Sequence, residues 1–417
     1  MNSTGRDNLK FEAPVPRSGV FILYAARGVR GFGDGFAIII LPAYLTAIGF
    51  SPGQIGIVAS ASLFGTALLT LAIGFIAPRH DLRNFLLGGA VLMACTGLAF
   101  PNFDQMAFIA FVAFVGTVNP STGDLGVLVP LEHAMLAHGA PDHERTRTFA
   151  RYSLIGALSM AAGSLAAALP DFMVLADISR LVAFKIMFYA YAGLGLVSVA
   201  LYKRLPHARM DEVRPHAPLG PSRGVVYKLA ALFSLDAFAG GFVVQSLLAL
   251  WLFERFDMSL SAASLFFFWA STLSAFSYLV AAWLAKRIGL INTMVYTHIP
   301  SSVFLILAAF SPNLILALGL LLVRSALSQM DVPTRTSYVM AVVTPAQRTA
   351  AASVTAVPRS LMSSISPAMA GALLATPFSA LPLVLCGVLK IAYDVALLFS
   401  FRHVKPPEEK IIQQAPI

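Results

Sequence analysis

Long apolar runs follow one another along almost the whole chain, with few charged residues inside them. Of the 417 residues, 58% are hydrophobic and only 12% are charged, whereas soluble globular domains carry about 25% charged residues. So few charges cannot cover the surface of a soluble protein of this size, but side chains that face lipid need no polarity. The chain is therefore predicted to be an all-α protein that crosses a membrane many times.

The apolar runs divide into twelve predicted transmembrane helices, because a helix needs about 20 predominantly apolar residues to cross a bilayer. The predicted spans cover residues 19–47, 52–77, 84–101, 105–137, 145–169, 181–202, 225–253, 259–285, 289–311, 314–343, 346–376 and 379–401. The predicted domains are a tail at 1–18, a six-helix bundle at 19–202, a linker at 203–224, a second six-helix bundle at 225–401 and a tail at 402–417.

The lysine and arginine residues between the spans predict the orientation, because cytoplasmic loops carry an excess of them. With the N-terminus inside, nineteen of the 29 fall in cytoplasmic segments, and only Arg180 and Arg255 fall in outer loops. We therefore expect a multi-pass protein of the inner (plasma) membrane with both termini in the cytoplasm. Residues 1–18 are polar and the run after them is too long for the core of a signal peptide, so no cleavable signal is expected.

Composition argues against nucleic-acid binding and against a metal site. The net charge of +9 comes from short loops between apolar runs, which favours membrane topology over nucleic acid as its cause. Cys95 and Cys386 lie in apolar runs without a disulfide or zinc spacing. His133, His138 and His143 do not fall on one helix face. We therefore expect neither a metal nor a cofactor.

The sequence also argues against an enzyme, although a membrane-embedded hydrolase and a receptor remain alternatives from other classes. The pair His143-Glu144 lacks the second histidine of the zinc-protease pattern. No phosphate-binding loop of the form G-x-x-x-x-G-K-S/T occurs, so ATP is not the expected source of energy.

Four predicted spans contain an aspartate near the bilayer midplane. These spans are the first, fourth, seventh and tenth, and the residues are Asp34, Asp124, Asp236 and Asp331. A charge at the bilayer centre costs at least about 2.5 kcal/mol, so such residues usually face a bundle interior or a water-filled cavity. The pattern favours a polar pathway over a structural or receptor role.

The first span places two arginines on the same side as its aspartate. Arg30 lies four residues before Asp34 and Arg27 lies seven before it, spacings that share one helix face. The cluster is either a substrate or proton site with Asp34 as the titrating carboxylate, or a structural pair that holds the helix to its neighbour.

The tenth span contains a polar stripe on an otherwise apolar helix. Arg324, Ser328, Asp331 and Arg335 lie at i, i+4, i+7 and i+11, on one face. The stripe is predicted to line the pathway or to pack on a partner helix. Asp236 has no basic neighbour in its own helix, so it is expected to exchange protons more readily than Asp331, which lies between two arginines.

Further polar residues lie in the fourth, eleventh and twelfth spans. Ser121 belongs to a mid-membrane polar patch, and Glu132, nearer the cytoplasmic end, is either a gate residue or an interfacial one. Arg359 is expected to neutralise a cavity aspartate or to meet an anionic substrate. Lys390 and Asp394 are four residues apart, and an intrahelical pair is expected.

The two predicted bundles are weakly similar to each other in parallel order. At an offset of 208 residues, Ser51 matches Ser259 and Arg79 matches Arg287. Parallel six-helix repeats joined by a central linker are a transporter architecture.

The topology, the repeat and one loop make the chain resemble the major facilitator superfamily over nearly its whole length. In the loop between the second and third spans, Gly74, Arg79 and Arg83 fit the family's signature, whereas Pro78 and Asp81 do not. The resemblance implies two six-helix bundles related by a pseudo-two-fold axis. It also implies a central cavity lined by helices one, four, seven and ten.

The resemblance further implies a secondary active transporter that moves a small solute by alternating access, as a monomer in the lipid bilayer. We expect proton coupling and efflux of small organic compounds; uptake of a nutrient or organic anion and export of a divalent metal are the alternatives. The predicted proton-coupling residues are Asp34, Asp236 and Asp124. The predicted cavity residues are Arg27, Arg30, Ser121, Arg324, Ser328, Asp331, Arg335 and Arg359. The predicted gate residues are Arg79, Arg83, Glu132 and Arg287.

Overall fold

A computed structural model describes residues 17–77, 80–121, 126–139, 145–207, 219–344 and 347–402, and they form helices without strands. In the first half the helices are α1 Arg17–Ala47, α2 Pro52–Ile76, α3 Leu82–Ala99, α4 Met106–Val115, α5 Leu128–Gly139, α6 Arg145–Ala166, α7 Leu169–Leu175 and α8 Arg180–Tyr202. In the second half they are α9 Arg223–Gly241, α10 Gln245–Phe256, α11 Leu260–Ile288, α12 Leu290–Ala309, α13 Leu314–Ser328, α14 Asp331–Ala341, α15 Arg348–Ser363, α16 Ser366–Leu374 and α17 Leu381–Phe401.

The described helices confirm the all-α polytopic fold. Ten helical stretches are long and apolar enough to cross a membrane. Two predicted spans are not among these ten. The fourth is divided into the short helices α4 and α5, and the eleventh, α15 with α16, begins with a polar stretch rich in serine, threonine and arginine.

Several predicted spans are interrupted part-way along their length. We call each span a crossing, numbered from the N-terminus, so the fourth crossing is α4–α5, the fifth α6–α7, the seventh α9–α10, the tenth α13–α14 and the eleventh α15–α16. Non-helical backbone at membrane depth is tolerated only inside protein or along a water-filled cavity. The breaks therefore mark the interior of the molecule.

Serine and asparagine side chains define where several crossings begin. Ser51 and Gln54 form a reciprocal capping box at the start of α2, with Pro52 at the first helical position. Ser259 accepts from the backbone amide of Ala262 at 3.1 Å and is the N-cap of α11. Each cap satisfies amide groups that a helix leaves unpaired at its first turn. Ser51 and Ser259 are also related by the sequence repeat, so the repeat extends to local structure.

The helices pack in two groups, α1–α8 and α9–α17. In the first group α1 packs on α6 and α8, and α3 packs on α8; in the second α9 packs on α15 and α17, and α12 on α13 and α17. We call the end where α8 stops and α9 starts the linker end, and the opposite end the far end. The fifth and eighth crossings and the second and eleventh crossings form the main contacts between the groups.

The far end is closed by backbone-to-backbone packing and by hydrogen bonds between the groups. A Cβ atom added to Gly56 would lie 2.4 Å from the Pro367 carbonyl oxygen, and one added to Gly371 would lie 2.4 Å from that of Pro52. Close approach of this kind requires residues without side chains. The helices α2 and α16 therefore meet in direct backbone contact.

Three hydrogen-bonded pairs accompany this contact. Ser60 Oγ accepts from the Ala368 amide at 2.8 Å, and Asp171 accepts from both the amide and the hydroxyl of Ser261 at 2.8 Å. The Ser246 amide donates to the Pro120 carbonyl at 3.1 Å, which joins the break of the seventh crossing to that of the fourth. The linker-end helices α5 and α14 pack against helices of their own group. This conformation is closed at the far end.

Replacing Gly56 by valine should prevent closure of the far end, because the added atoms meet backbone that cannot rotate away. Gly53→Val is the matched control, since its Cβ would have no neighbour nearer than 3.9 Å. The readout is labelling of Ser246→Cys by a membrane-impermeant maleimide, in a protein whose Cys95 and Cys386 are alanine. We expect labelling several-fold faster with Gly56→Val and unchanged with Gly53→Val. Equal rates in both variants would contradict this account of the closed end.

Candidate functional site: two buried polar networks

A polar network inside the first group is centred on Glu132 of α5, whose side chain has 0% exposure. Its carboxylate accepts hydrogen bonds from Arg30 and from the hydroxyl of Tyr152. The Tyr202 hydroxyl donates to its other oxygen at 2.6 Å. Four helices, α1, α5, α6 and α8, meet at this one carboxylate. Its predicted gate role stays a prediction, and its observed contacts anchor the linker-end part of the broken fourth crossing.

Asp34 lies one turn along α1 from Arg30 but does not share that residue's ion pair. Its Oδ1 accepts a hydrogen bond from the Tyr191 hydroxyl at 3.1 Å, and Tyr191 is 3.2 Å from Thr117 Oγ1. Among the described residues, no lysine or arginine nitrogen lies within 4.0 Å of the Asp34 carboxylate. The expected Arg30–Asp34 pair is therefore replaced by Arg30–Glu132, which leaves Asp34 with a neutral partner.

A cavity lies beside Asp34 and the break in the fourth crossing. Its wall combines side chains of the first, second, third, fifth and sixth crossings with residues of the fourth on either side of 122–125. The lining residues include Arg27, Arg30, Asp34, Thr66, Met93, Thr117, Asn119, Ser121, Gly126, Met160 and Tyr191. The Arg27 guanidinium lies over the Tyr152 ring, 5.2 Å from its centre. Predicted residues of the first and fourth spans thus meet at one cavity, whereas Asp124 lies outside the described residues.

A second network fills the interior of the second group around Asp236 of α9. The Asp236 carboxylate binds Arg335 Nη1 at 3.0 Å and Lys390 Nζ at 2.6 Å, and His298 Nε2 lies at 3.9 Å. The expectation that Asp236 is a lone carboxylate is therefore wrong. Its own helix contains no basic neighbour, but two other crossings supply cations that the sequence pattern could not place.

The second network extends on both sides of Asp236. Arg335 also binds Asp331 at 2.9 Å, and Lys390 Nζ lies 3.2 Å from His298 Nε2. His298 Nδ1 is 3.0 Å from Asp394, which is fully buried. Six titratable side chains from the seventh, ninth, tenth and twelfth crossings are therefore connected in one continuous series of contacts. The expected intrahelical pair of Lys390 with Asp394 is wrong, because each binds a residue of another crossing.

The remaining predicted cavity residues of the second group form none of the ion pairs of this network among the described residues. Arg324 is half-buried on α13, and Ser328 is the last residue of α13, where the tenth crossing breaks. Arg359 is half-buried on α15, and its buried Nε has no hydrogen-bond partner among the described residues.

The predicted gate arginines lie at the linker end. Arg83 donates to the Lys203 carbonyl oxygen at 2.6 Å and lies 3.1 Å from His207 Nε2, so it holds the start of the linker. Arg287 lies over the Trp283 ring, 4.1 Å from its centre. Arg79 lies outside the described residues. These contacts stay within one group each, and the gate assignment stays a prediction.

Sequence and structure comparisons place this geometry in a known family. The chain matches the Major Facilitator Superfamily over residues 23–367. The chain belongs to this superfamily. The resemblance inferred from the loop and the repeat is thereby confirmed, and family and fold are those of membrane transporters.

Individual proteins align with this chain over nearly its full length. An uncharacterized membrane protein of Saccharomyces cerevisiae, YJR124C, is 23% identical, with 92% of this chain and 94% of that protein covered. The crystal structure of the nucleoside transporter NupG matches with a TM-score of 0.69 at 15% identity, over 95% of this chain and all of NupG. An inward-facing, occupied bacterial homologue of the human lysosomal transporter Spinster matches with a TM-score of 0.70 at 15% identity, over 92% and 96% of the two chains.

Four residues of the two networks were not among the site residues predicted from the sequence. His298 lies in the ninth predicted span, and the one feature of the sequence that could have indicated its role is a histidine among apolar residues. Tyr152, Tyr191 and Tyr202 supply the hydroxyl groups around Glu132 and Asp34. Because tyrosines are common in membrane helices, the sequence did not indicate that these three have a special role. The Arg30–Glu132 pair spans 102 residues of sequence, a separation that helical spacing rules cannot bridge.

Breaking the Arg30–Glu132 pair should destabilise the first group. Removing one partner of a buried ion pair costs about 3–5 kcal/mol, because the other charge is left uncompensated. We expect Glu132→Gln and Arg30→Met each to lower the melting temperature, and the double variant to melt no lower than the worse single one. Arg151→Gln, an exposed cation on α6, is the control. Additive losses in the double variant would mean that the two side chains do not interact.

Asp236→Asn should lower the stability of the second group rather than leave the fold intact, since it leaves Lys390 and Arg335 without a shared carboxylate. Adding Lys390→Met removes one of the uncompensated cations and should recover part of the loss. Melting temperatures in detergent test both variants, with Asp104→Asn in an exposed far-end loop as the control. An Asp236→Asn protein as stable as the unaltered one would show that the network does not support the fold.

Proposed function

We propose that the protein is a proton-coupled secondary transporter that moves a small organic solute by alternating access. The support is a closed far end, a cavity at the broken fourth crossing and two networks of ionisable residues at membrane depth. Discontinuous helices that meet near the midplane are typical of substrate and ion sites in secondary transporters. In this proposal the protein works as a monomer in the inner (plasma) membrane with both termini in the cytoplasm, so its linker end faces the cytoplasm.

The observation behind proton coupling is the position of Asp34. It is the cavity carboxylate without a cation within 4.0 Å among the described residues, and its one hydrogen bond comes from a neutral tyrosine. Gaining or losing a proton there changes the charge of the cavity without breaking an ion pair. Asp236 is held by two cations, so its proposed contribution is to maintain the second network. Asp124 remains a proposed proton site from the sequence pattern.

Neutralising Asp34 would lower the free energy of closing the cavity at both ends, since a buried charge is costly in a membrane interior. Proton binding would then favour the occluded state through which the two groups exchange access. Arg27, Arg30 and Ser121 lie on the same cavity and are proposed to contact the solute.

The direction and class of the solute are open to experiment. Export of small organic compounds is the proposed direction, and uptake of a nutrient or organic anion and export of a divalent metal are the alternatives. The similar structures include a nucleoside transporter and an auto-inhibited peptide transporter of the POT family, which makes nucleosides and dipeptides useful probes. A membrane-embedded enzyme or receptor would produce no flux in the assay below.

The test is transport by purified protein in liposomes with an imposed pH gradient. Labelled uridine, dialanine, lactate, ethidium and Mn²⁺ serve as probes of the different solute classes. We expect the gradient to drive accumulation of at least one probe, and Asp34→Asn to reduce that accumulation at least ten-fold while exchange without a gradient persists. Glu254→Gln, an exposed carboxylate near the far end of α10, is the control. Flux that ignores the pH gradient would reject proton coupling, and unchanged accumulation in Asp34→Asn would remove Asp34 from the mechanism.

A further inference from the structure

The membrane interior of the second group contains more cations than carboxylates. Its described cationic side chains are Arg324, Arg335, Arg359 and Lys390, and its carboxylates are Asp236, Asp331 and Asp394. All three carboxylates are already engaged. Asp236 binds Arg335 and Lys390, Asp331 binds Arg335, and Asp394 binds His298. The network therefore has no free carboxylate to offer a further arginine.

Arg324 and Arg359 are the two of these cations that form no ion pair among the described residues, and Arg359 is the one that lies near Asp236 and Asp331. No carboxylate oxygen of the described residues lies within 4.0 Å of its guanidinium, and its buried Nε has no hydrogen-bond partner among them. It lies within electrostatic range of Asp236 and Asp331, but also of Arg335, which already binds both. Because Arg335 already occupies both carboxylates, the Arg359 guanidinium has no counter-ion in direct contact, and an anion would supply one.

Arg359 lies far along its crossing from the linker end. It lies eleven residues into the helix that begins at Arg348, which is about 16 Å along the axis at 1.5 Å per residue. The helix α15 packs on α9 and also touches α2 of the first group. An ionised group at that depth normally faces a cavity or a partner. Arg359 therefore lies on a helix between the two groups, where a solute would pass.

We propose that Arg359 is the anion-binding residue of the substrate site. The transported solute then has an acidic oxygen group, such as a carboxylate, sulfonate or phosphate, that pairs with the Arg359 guanidinium. A planar guanidinium is suited to bind such groups through two parallel hydrogen bonds. This assignment of the substrate class rests on the proposed transport function, and it narrows the solute to organic anions and zwitterions.

The experiment measures binding of defined probes to the purified full-length protein in detergent by thermal shift. The acidic probes are lactate, benzoate, dialanine and uridine 5′-monophosphate, and the matched probes without an acidic group are uridine and ethidium. At least one acidic probe should raise the melting temperature. Arg359→Gln should weaken its apparent affinity at least about ten-fold, because one partner of a buried charge pair is lost. Arg359→Lys should retain more binding than Arg359→Gln, since it keeps the charge.

Arg255→Gln, which removes an exposed cation at the far end of α10, should bind the acidic probe like the unaltered protein. The proposal is overturned if no acidic probe stabilises the protein, or if the affinity is the same with and without the Arg359 charge. These outcomes differ from failure of the transport function. Uridine or ethidium driven by a pH gradient, with no binding of the acidic probes, would leave proton-coupled transport standing and reject the anion site.

Discussion

The cost of placing an ionised side chain inside a bilayer determines much of this structure. Each buried charge must meet an opposite charge, a hydroxyl group or a wet cavity, because lipid offers none of these. Glu132 meets this requirement with an arginine and two tyrosines, and Asp236 with an arginine and a lysine. The helices that contribute these partners are thereby fixed in position and rotation. Such polar networks specify the packing of each group in a way that apolar lipid-facing surfaces cannot.

The two groups satisfy this requirement differently, although the sequence predicts that they are parallel repeats. In the described part of the first group, Glu132 is fully buried with its partners, whereas Asp34 lies on a cavity and accepts a hydrogen bond from a tyrosine hydroxyl. In the second group the buried carboxylates Asp236, Asp331 and Asp394 belong to one network, and Arg359 beside it forms no ion pair among the described residues. The proposed division of labour follows from this asymmetry, with proton exchange assigned to the first group and recognition of a solute anion to the second.

The all-α polytopic fold could be predicted from the sequence because each membrane-spanning helix is recognised by the composition of its own segment. The breaks between predicted spans fell close to the observed helix ends, and the repeat placed Ser51 and Ser259 at equivalent caps. The sequence shows which charged residues lie inside predicted spans, but the spacing within one helix does not predict which residues they bind. Asp236 appeared isolated because Arg335 and Lys390 belong to other crossings, and Lys390 and Asp394 appeared paired because they share a helix face. Which side chains meet depends on how helices rotate and pack, and no pattern within one helix contains that information.

One hydrogen bond between the two groups, at the breaks of the fourth and seventh crossings, connects the closed conformation to the composition of the cavity wall. The Ser246 amide donates to the Pro120 carbonyl, and Pro120 is followed directly by Ser121, which lines the cavity. If the far end opens by separating the two groups, that bond must break, and an additional backbone acceptor becomes available beside the binding region. A solute with a spare donor would then find one more interaction in one orientation of the transporter than in the other. The same pocket would thus have two intrinsic affinities for its ligand, and the difference would arise from main-chain atoms that no side-chain substitution removes.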